Sequence, residues 1–206
     1  MNKIFIDIGG HRGQTIDQFY AEVADASSWK IYSFEPLKFD LLVKNVDKYS
    51  NVICINAAVG RSSGVVKVYP SMKGNGLGST TLWGKVTGGV AYNKGVDTKE
   101  IDFVRWFNNT VQDGDFVVLK MNIEGGEYIL MPDLVKILPK LAGLYIMLHH
   151  NKFKKELQPE MLETFERFKL EVFKYKTVVF FCFDGKYKFD EMLSKIECQQ
   201  KLGLYE

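Results

Sequence analysis

The sequence has few cysteines, and none of them is placed for a disulfide framework or a zinc site. The three cysteines of the 206-residue chain, Cys54, Cys182 and Cys198, lie far apart, with no CxxC pair and no cluster of cysteine with histidine. Because structural zinc needs four such ligands at short spacings, the sequence argues against it. A sparse, odd number of cysteines is typical of a reducing compartment, so we expect a cytoplasmic location.

Long apolar runs and a charge excess of one sign are also missing. The longest purely apolar run covers residues 178–183, far short of the roughly 20 residues that a membrane helix needs. Asp7 interrupts the apolar start of the chain, which argues against a signal peptide. The 27 basic and 25 acidic residues give a net charge of +2, whereas dedicated nucleic-acid or membrane binders usually carry a larger, clustered excess. We therefore expect no membrane insertion and no DNA partner.

The composition is that of an ordinary globular protein, with 46% hydrophobic and 25% charged residues. The length fits one domain on a prior of roughly 100–200 residues per domain, and we expect a single domain over residues 1–206. Residues 71–95 hold seven of the 18 glycines, which predicts a functional or mobile loop inserted at about that position. Two residues precede the first predicted strand, which suits either a domain cut from a larger protein or a short natural N-terminus.

The pattern of apolar residues alternates between strands and helices. It predicts strands at 3–8, 30–34, 51–56, 115–121 and 142–148 and helices that include 16–23, 37–46, 126–138 and 159–168. Such alternation is typical of an α/β fold with a doubly wound, mostly parallel sheet. We also expect a hairpin over 57–69, a short helix over 102–109, two tightly joined strands at 170–175 and 177–183, and a closing helix at 189–196.

The first motif that carries chemistry is a glycine turn after the first predicted strand. Asp7-Ile8-Gly9-Gly10-His11-Arg12-Gly13 reads D-x-G-x-x-x-G. Ile8 stands where the dinucleotide fingerprint requires glycine, which disfavours NAD. Glycine can take a positive φ and let a ligand approach the backbone, and we expect this of Gly9 and Gly10. Glu35 ends the second predicted strand 22 residues after Gly13, where a carboxylate accepts hydrogen bonds from the ribose hydroxyls of a nucleotide-like cofactor.

The second motif, Leu119-Lys120-Met121-Asn122-Ile123-Glu124-Gly125-Gly126-Glu127, runs from a buried strand into a helix. It places Lys120, Glu124 and Glu127 at the carboxyl edge of the sheet, where ligands bind in open α/β folds. An ammonium group at the end of an apolar run needs a partner, and we expect Glu124 to be the partner of Lys120. The chemistry alone leaves open whether this pair reacts or merely ties the strand to its helix.

The two motifs resemble those of S-adenosylmethionine-dependent methyltransferases with a Rossmann-like fold. Asp7, Gly9 and Gly13 match the first motif of these enzymes and Glu35 the second, and residues 119–127 resemble the K-x-D-x-E-G-x-E signature of the FkbM type. Phe34-Glu35-Pro36, Asn56-Ala57-Ala58 and Leu148-His149-His150 extend the resemblance across most of the chain. It implies a class I methyltransferase fold, with a mostly parallel seven-stranded sheet and an antiparallel C-terminal hairpin.

The resemblance further implies S-adenosylmethionine as the cofactor. Gly9 and Gly10 would line its methionine part with His11 packed over it, Glu35 would hold the ribose, and Asn56 and Ala57 would lie near the adenine. The implied cofactor-binding residues are Asp7, Gly9, Gly10, His11, Gly13, Glu35, Asn56, Ala57 and Asn122. Asn122 stands where the family usually has aspartate, and since hard divalent cations favour carboxylate oxygen, we expect no metal.

The activity that the resemblance implies is O-methylation, often of a sugar hydroxyl in a glycan or a sugar-containing small molecule, such as a terminal rhamnose. We expect His149 to act as general base, Lys120 to stabilise the developing alkoxide, and Glu124 to orient Lys120 or the hydroxyl. The implied substrate-binding residues are Ser79, Thr80, Trp83, Glu127 and His150. Trp83 or Tyr92 either stacks on a sugar or packs the loop. Adjacent glycosyltransferase domains are the expected protein partners.

Two other functions stay open. Nine basic residues lie between positions 152 and 188 with tyrosines among them, which suits an RNA ribose 2′-O-methyltransferase. Acids alternate with these bases, however, as on an ordinary solvated face. The other function is that of a cofactor-binding module without activity, and the presence of Lys120, Glu124 and His149 argues against it.

Overall fold

The computed structural model describes residues 1–182 and 187–201. The strands are β1 (Lys3–Ile8), β2 (Lys30–Phe34), β3 (Val52–Ile55), β4 (Ala58–Gly60), β5 (Gly64–Val68), β6 (Val96–Asp102), β7 (Phe116–Met121), β8 (Gly143–Met147) and β9 (Val178–Cys182). The α-helices are α1 (Gln14–Glu22), α2 (Phe39–Val46), α3 (Phe103–Thr110), α4 (Gly126–Leu134), α5 (Gln158–Val172) and α6 (Phe189–Lys201).

The described residues form a central sheet of six parallel strands, in the order β3-β2-β1-β7-β8-β9. Strand β1 pairs with β2 on one side and with β7 on the other. The chain winds outwards in opposite directions from β1 and β7, so a crevice opens between the carboxyl ends of these two strands. The expected α/β class with a mostly parallel sheet is confirmed, and this crevice is where the predicted site residues converge.

The expected seventh strand and the antiparallel C-terminal hairpin are wrong for the described residues. Residues 170–172 belong to α5, residues 173–175 form a turn, and β9 lies parallel to β8. Phe165, Phe168 and Val172 are buried at helical spacing, so the helical period continues through the segment that we expected to be a strand. Phe183, the end of the second predicted strand, lies outside the described residues.

The helices cover both faces of the central sheet with apolar side chains. One face packs against α3, α4 and α5 and the other against α1, α2 and α6. Three phenylalanine rings join the two ends of the chain on the second face. The ring of Phe5 in β1 stacks on that of Phe19 in α1 at 4.3 Å, and Phe189 in α6 meets them edge-on at 5.2 and 5.3 Å between ring centroids.

A smaller sheet replaces the hairpin expected over residues 57–69. Strands β4 and β5 do not pair with each other, because β6 lies between them, parallel to β4 and antiparallel to β5. Strand β6 was missed because its sequence, VDTKEID, is largely polar and half exposed. The glycine-rich loop 71–95 connects β5 to β6. Isolated backbone bridges at Tyr69–Thr80, Ser71–Val90 and Lys85–Phe153 hold this loop against itself and against the segment after β8.

Among the residues that the structure describes, no helix has both the length and the apolar character required to cross a membrane.

Candidate active site

The glycine turn after β1 is shaped by contact with the neighbouring strands. Gly9 has φ +85°, and a Cβ on it would lie 2.0 Å from the carbonyl oxygen of Asn122, so only glycine fits there. The N–H groups of Gly9 and Gly10 both donate to the carbonyl oxygen of Phe34. Gly10 is not among the residues with positive φ, contrary to our expectation, whereas Gly13 is, at +86°.

An open cleft of about 780 Å³, measured out to its mouth, lies at the carboxyl edge of β1, β2 and β7. The segment after β3 and residues 76–81 of the glycine-rich loop complete its wall. The predicted site residues that line it are Gly9, His11, Glu35, Ala57, Ser79, Thr80, Asn122 and Glu124. The other predicted site residues, all in the described part of the chain, lie outside this wall, and they are Asp7, Gly10, Gly13, Asn56, Trp83, Lys120, Glu127, His149 and His150.

Glu35 is fixed in the cleft wall by backbone hydrogen bonds. Its Oε2 accepts from the N–H of His11 at 2.9 Å, and its Oε1 accepts from the N–H groups of Leu37 and Lys38 at 2.8 and 2.9 Å. The residue is 7% exposed. Because a carboxylate offers about four acceptor sites, this one retains capacity for a further donor from a ligand.

Asp7 and Lys120 form a buried ion pair at the switch point, the place between β1 and β7 where the strand order reverses. They are directly paired in the register of β1 and β7, their side chains are 0% and 1% exposed, and Lys120 Nζ lies 2.7 Å from Asp7 Oδ1. Lys120 Nζ also donates to the carbonyl oxygen of Gly9 at 2.9 Å, and Asp7 accepts from the Ser33 hydroxyl at 3.0 Å. Burial opposes the charge on Lys120, but Asp7, Tyr187 and Glu35 together outweigh it, so the pKa of Lys120 is raised.

This pairing corrects two expectations about the second motif. The partner of Lys120 is Asp7, not Glu124, because strand register brings Asp7 directly beside it. The ammonium group is enclosed by Asp7 and backbone carbonyl oxygens, so it does not face an acceptor alkoxide. Asp7 is likewise fully buried and lies outside the cleft wall.

Glu124 is the charged residue of the second motif that reaches the cleft. Its backbone has φ +55°, a strained conformation for a residue other than glycine. Its carboxylate lies 2.6 Å from Lys85 Nζ, 3.1 Å from Lys152 Nζ and 3.4 Å from His149 Nε2. Burial disfavours the charge, but His149 and Lys85 hold the pKa of Glu124 well below its usual range. Glu124 is therefore a fixed anion in the cleft wall.

His149 lies between two carboxylates immediately after β8. Its Nδ1 is 3.2 Å from Glu127 Oε1 and its Nε2 is 3.4 Å from Glu124 Oε1, and the residue is 2% exposed. Burial alone would lower the pKa of His149, but the charges of Glu127 and Glu124 raise it. Both ring nitrogens face carboxylates, and the role of His149 as general base stays a prediction.

Glu127, His150 and Trp83, which we expected to bind substrate, lie outside the cleft wall and contact other parts of the protein. Glu127 is fully buried and accepts from the N–H groups of Ile123 and Gly125 at 2.6 and 2.7 Å. His150 Nδ1 lies 3.0 Å from the hydroxyl of Tyr128. Trp83 is 62% exposed and its ring packs on that of Tyr92 at 4.1 Å, which agrees with the loop-packing alternative. Glu127 instead fixes the turn that presents Glu124.

Two cations of this site were missed by sequence reasoning. Lys85 comes from the glycine-rich loop and Lys152 from the segment after β8, and both contact Glu124. The contact between Lys85 and Glu124 spans 39 positions, so no local spacing in the sequence could have indicated it. The high glycine content of residues 71–95 was the one available signal, because it marked the loop that carries Lys85.

This chain matches a known protein family over most of its length. The family model described as the methyltransferase FkbM domain matches residues 7–197. The chain belongs to the FkbM methyltransferase family. No curated protein and no solved structure matches it significantly. Family membership implies methyl transfer and, in general, a cofactor of the S-adenosylmethionine type.

One polar atom of the FkbM chain's cleft has no partner within residues 1–182 and 187–201. The side-chain oxygen of Asn122 is buried and accepts no hydrogen bond from these residues, while its Nδ2 donates to the Tyr187 hydroxyl at 3.0 Å. A buried acceptor without a donor is costly and indicates a donor supplied by a ligand or water. Within the same residues, no group of three or more histidine, cysteine, aspartate or glutamate side chains is arranged to hold a metal ion.

The buried Asp7–Lys120 pair predicts a large loss of stability when one partner is removed. Lys120→Met should lower the free energy of unfolding by about 3–5 kcal/mol, because Asp7 is left as an uncompensated buried charge. Adding Asp7→Asn should recover part of this loss. Urea unfolding followed by circular dichroism measures both effects. The control is Lys3→Met, which breaks an exposed pair with Asp25 and should cost less than about 1 kcal/mol. Equal losses for Lys120→Met and Lys3→Met would contradict the assignment.

The raised pKa of His149 predicts a pH-dependent contribution to stability. A group whose pKa is raised by folding stabilises the native state fully below its unfolded pKa, about 6.5 for histidine, and loses this effect as pH rises through the folded pKa. The stability advantage of the wild type over His149→Gln should therefore shrink as pH rises above about 6.5. Urea titrations between about pH 5.5 and 9 measure this difference. His11→Gln is the control, because that ring contacts Asn75 and Gln14 rather than carboxylates. An advantage that grows with pH would refute the prediction.

Proposed function

We propose that this FkbM-family chain transfers the methyl group of S-adenosylmethionine to a hydroxyl oxygen of a sugar, in a glycan or a sugar-containing small molecule. The observation that carries the proposal is that one cleft contains two oriented carboxylates, Glu35 at the end of β2 and Glu124 after β7. Glu35 suits a cofactor diol and Glu124 suits an acceptor hydroxyl. Both lie at the carboxyl edge of the sheet, Glu35 on the β2 side of β1 and Glu124 on the β7 side.

The residues of the cleft fit a cofactor of this type. Glu35 retains acceptor capacity for ribose hydroxyls, and the unpartnered oxygen of Asn122 suits an ammonium or hydroxyl donor. Apolar side chains near Glu35 suit a flat purine ring, and those in the wall are Phe34, Pro36, Leu37, Ala57 and Val59. Asn122, Glu35 and Gly9 are thus the residues that we assign to the cofactor.

The cofactor, when bound, supplies a methyl group on a positively charged sulfur. A lone pair of the acceptor oxygen forms the new C–O bond, the electron pair of the C–S bond stays with sulfur, and the hydroxyl proton leaves. As the C–O bond forms, this proton becomes strongly acidic, so a carboxylate of low pKa can accept it. Glu124 is that carboxylate in our proposal, because it is an anion in the cleft wall. Fixing the acceptor against it also supplies the rate advantage of positioning.

The surface charges favour a sugar acceptor over RNA. Most of the basic residues between positions 152 and 188 pair with nearby acids. The pairs are Lys152–Glu124, Lys154–Glu156, Arg167–Glu163, Lys169–Glu166, Lys174–Glu171 and Lys188–Glu191. Such neutralised lysines and arginines do not form the unpaired basic stripe that a nucleic-acid backbone requires. The hydroxyl group of Thr81 in the cleft wall suits a polyhydroxylated neutral acceptor, whereas those of Ser79 and Thr80 already bond within the protein.

The proposal is tested with S-adenosylmethionine carrying an isotopically labelled methyl group, offered with a panel of glycans, small glycosides and RNAs. Mass spectrometry then locates the label. We expect label on a sugar hydroxyl of a glycan or glycoside, with Glu124→Gln at least about tenfold slower, as for loss of a proton acceptor. Label on an RNA ribose would contradict the proposed glycan or glycoside acceptor and would indicate an RNA methyltransferase instead. Tight cofactor binding without transfer to any acceptor would indicate a module without activity.

The assignment of Glu35 predicts a specific loss of cofactor affinity. Glu35→Gln should weaken binding of S-adenosylhomocysteine by roughly 10- to 100-fold, because hydrogen bonds to a charged acceptor are lost. Calorimetric titration measures this affinity, and thermal unfolding checks that the variant is folded. Asp40→Ala is the matched control, since Asp40 is an exposed acid in the first turn of α2 and should leave affinity unchanged. An unchanged affinity for folded Glu35→Gln would remove Glu35 from the cofactor site.

A further inference from the structure

The glycine-rich loop reaches Glu124 through one buried side chain. Lys85 has a side chain that is 1% exposed, and its Nζ lies 2.6 Å from Glu124 Oε2. The same ammonium group donates to the carbonyl oxygen of Gly78 in the cleft wall. The hydroxyl of Thr80 donates to the backbone carbonyl oxygen of Glu124 at 2.8 Å. The loop therefore binds both the side chain and the backbone of Glu124.

A second set of contacts fixes Lys85 from the opposite side. The N–H of Val86 donates to the carbonyl oxygen of Lys152 at 2.8 Å, and the N–H of Lys154 donates to that of Gly84 at 2.9 Å. Lys85 thus lies at the centre of a short backbone bridge between the loop and the segment after β8. This bridge fixes the backbone from which the Lys85 side chain extends towards Glu124.

Gly78 lies against the Lys85–Glu124 pair in the cleft wall. It lines the cleft, has φ +92°, and a Cβ on it would lie 2.9 Å from Lys85 Nζ and 3.9 Å from Glu124 Oε2. The ion pair therefore lies directly against the wall formed by residues 76–81. Any shift of the Lys85 ammonium group would move this wall and the Glu124 carboxylate together.

Of the three cations around Glu124, Lys85 is best placed to hold it. Lys152 has a side chain that is 36% exposed, so water screens its charge. His149 lies farther away, at 3.4 Å, and shares its other nitrogen with Glu127. Lys85 makes the shortest of these contacts, and its side chain is only 1% exposed. Because the backbone of Glu124 is strained, its conformation depends on such surrounding contacts.

We propose that Lys85 is the positioning residue of the acceptor site, and that it holds the Glu124 carboxylate in place while it fastens residues 76–81 as the adjoining wall. The same lysine then places both residues 76–81 against the cleft and the Glu124 carboxylate within it. The role of Glu124 toward an acceptor hydroxyl rests on the function proposed above. The link from Lys85 to Glu124 and the loop does not depend on that function.

The first test is a double-mutant cycle on kcat/KM for the acceptor, with Lys85→Met and Glu124→Gln. In the wild-type background we expect Lys85→Met to lower kcat/KM by roughly 10- to 100-fold. In the Glu124→Gln background the same change should cost less than about twofold, because Lys85 acts through Glu124. Lys85→Arg, which keeps the positive charge, should restore part of the rate. The control Lys94→Met removes an exposed lysine of the same loop and should leave kcat/KM unchanged. Additive losses, as from a purely structural lysine, would overturn the proposal.

The second test needs no methyl acceptor. Amide hydrogen exchange of residues 76–81 should be at least about tenfold faster in Lys85→Met than in the wild type, since the fastening of the loop is lost. Lys94→Met should exchange like the wild type, and Glu124→Gln should accelerate the same amides. Unchanged exchange in Lys85→Met would overturn the proposal whatever the acceptor is. If the wild type methylates nothing in the panel, the proposed function fails, and the exchange rates alone decide whether Lys85 positions Glu124.

Discussion

A buried ion pair between adjacent strands is the constraint on which this site depends. Asp7 and Lys120 face each other across β1 and β7, at the point where the sheet order reverses. Two charges without solvent exposure require mutual compensation and further hydrogen bonds. The carbonyl oxygens of Ile8 and Gly9 and the hydroxyl of Ser33 supply these bonds. The pair therefore fixes the ends of three strands, and with them the floor of the cleft.

Above this floor, a second and more exposed set of charges holds Glu124 in the cleft wall. Glu124 lies among Lys85, Lys152 and His149, and Glu127 fixes both His149 and the turn below. The two sets differ in exposure. The Asp7–Lys120 pair has no access to ligand, whereas Glu124 is 15% exposed at its side chain and lines the cleft. A buried ion pair and the carboxylate that we propose to act on the acceptor are thus only four residues apart in sequence.

The sequence predicted those features that depend on local pattern. The glycine turn, the strand-end position of Glu35 and the alternation of strands with helices each follow from residues close together in the chain. The partner of Lys120 could not be predicted in this way, because Asp7 is 113 positions away and strand register alone makes them neighbours. The contact of Lys85 with Glu124 could not be predicted for the same reason, since the two residues are 39 positions apart. Polar β6 and the end of α5 were misread because pairing and packing override local propensity there.

The cluster of Phe5, Phe19 and Phe189 has a consequence for how the chain folds. Phe5 and Phe19 come from the first twenty residues, whereas Phe189 comes from α6. Phe19 covers part of the apolar surface over β1, and α6 is needed to complete the cover. During synthesis, Phe5 and Phe19 would lack the contact with Phe189 until α6 has been made, and their exposed apolar surface would favour binding of a chaperone to the nascent chain.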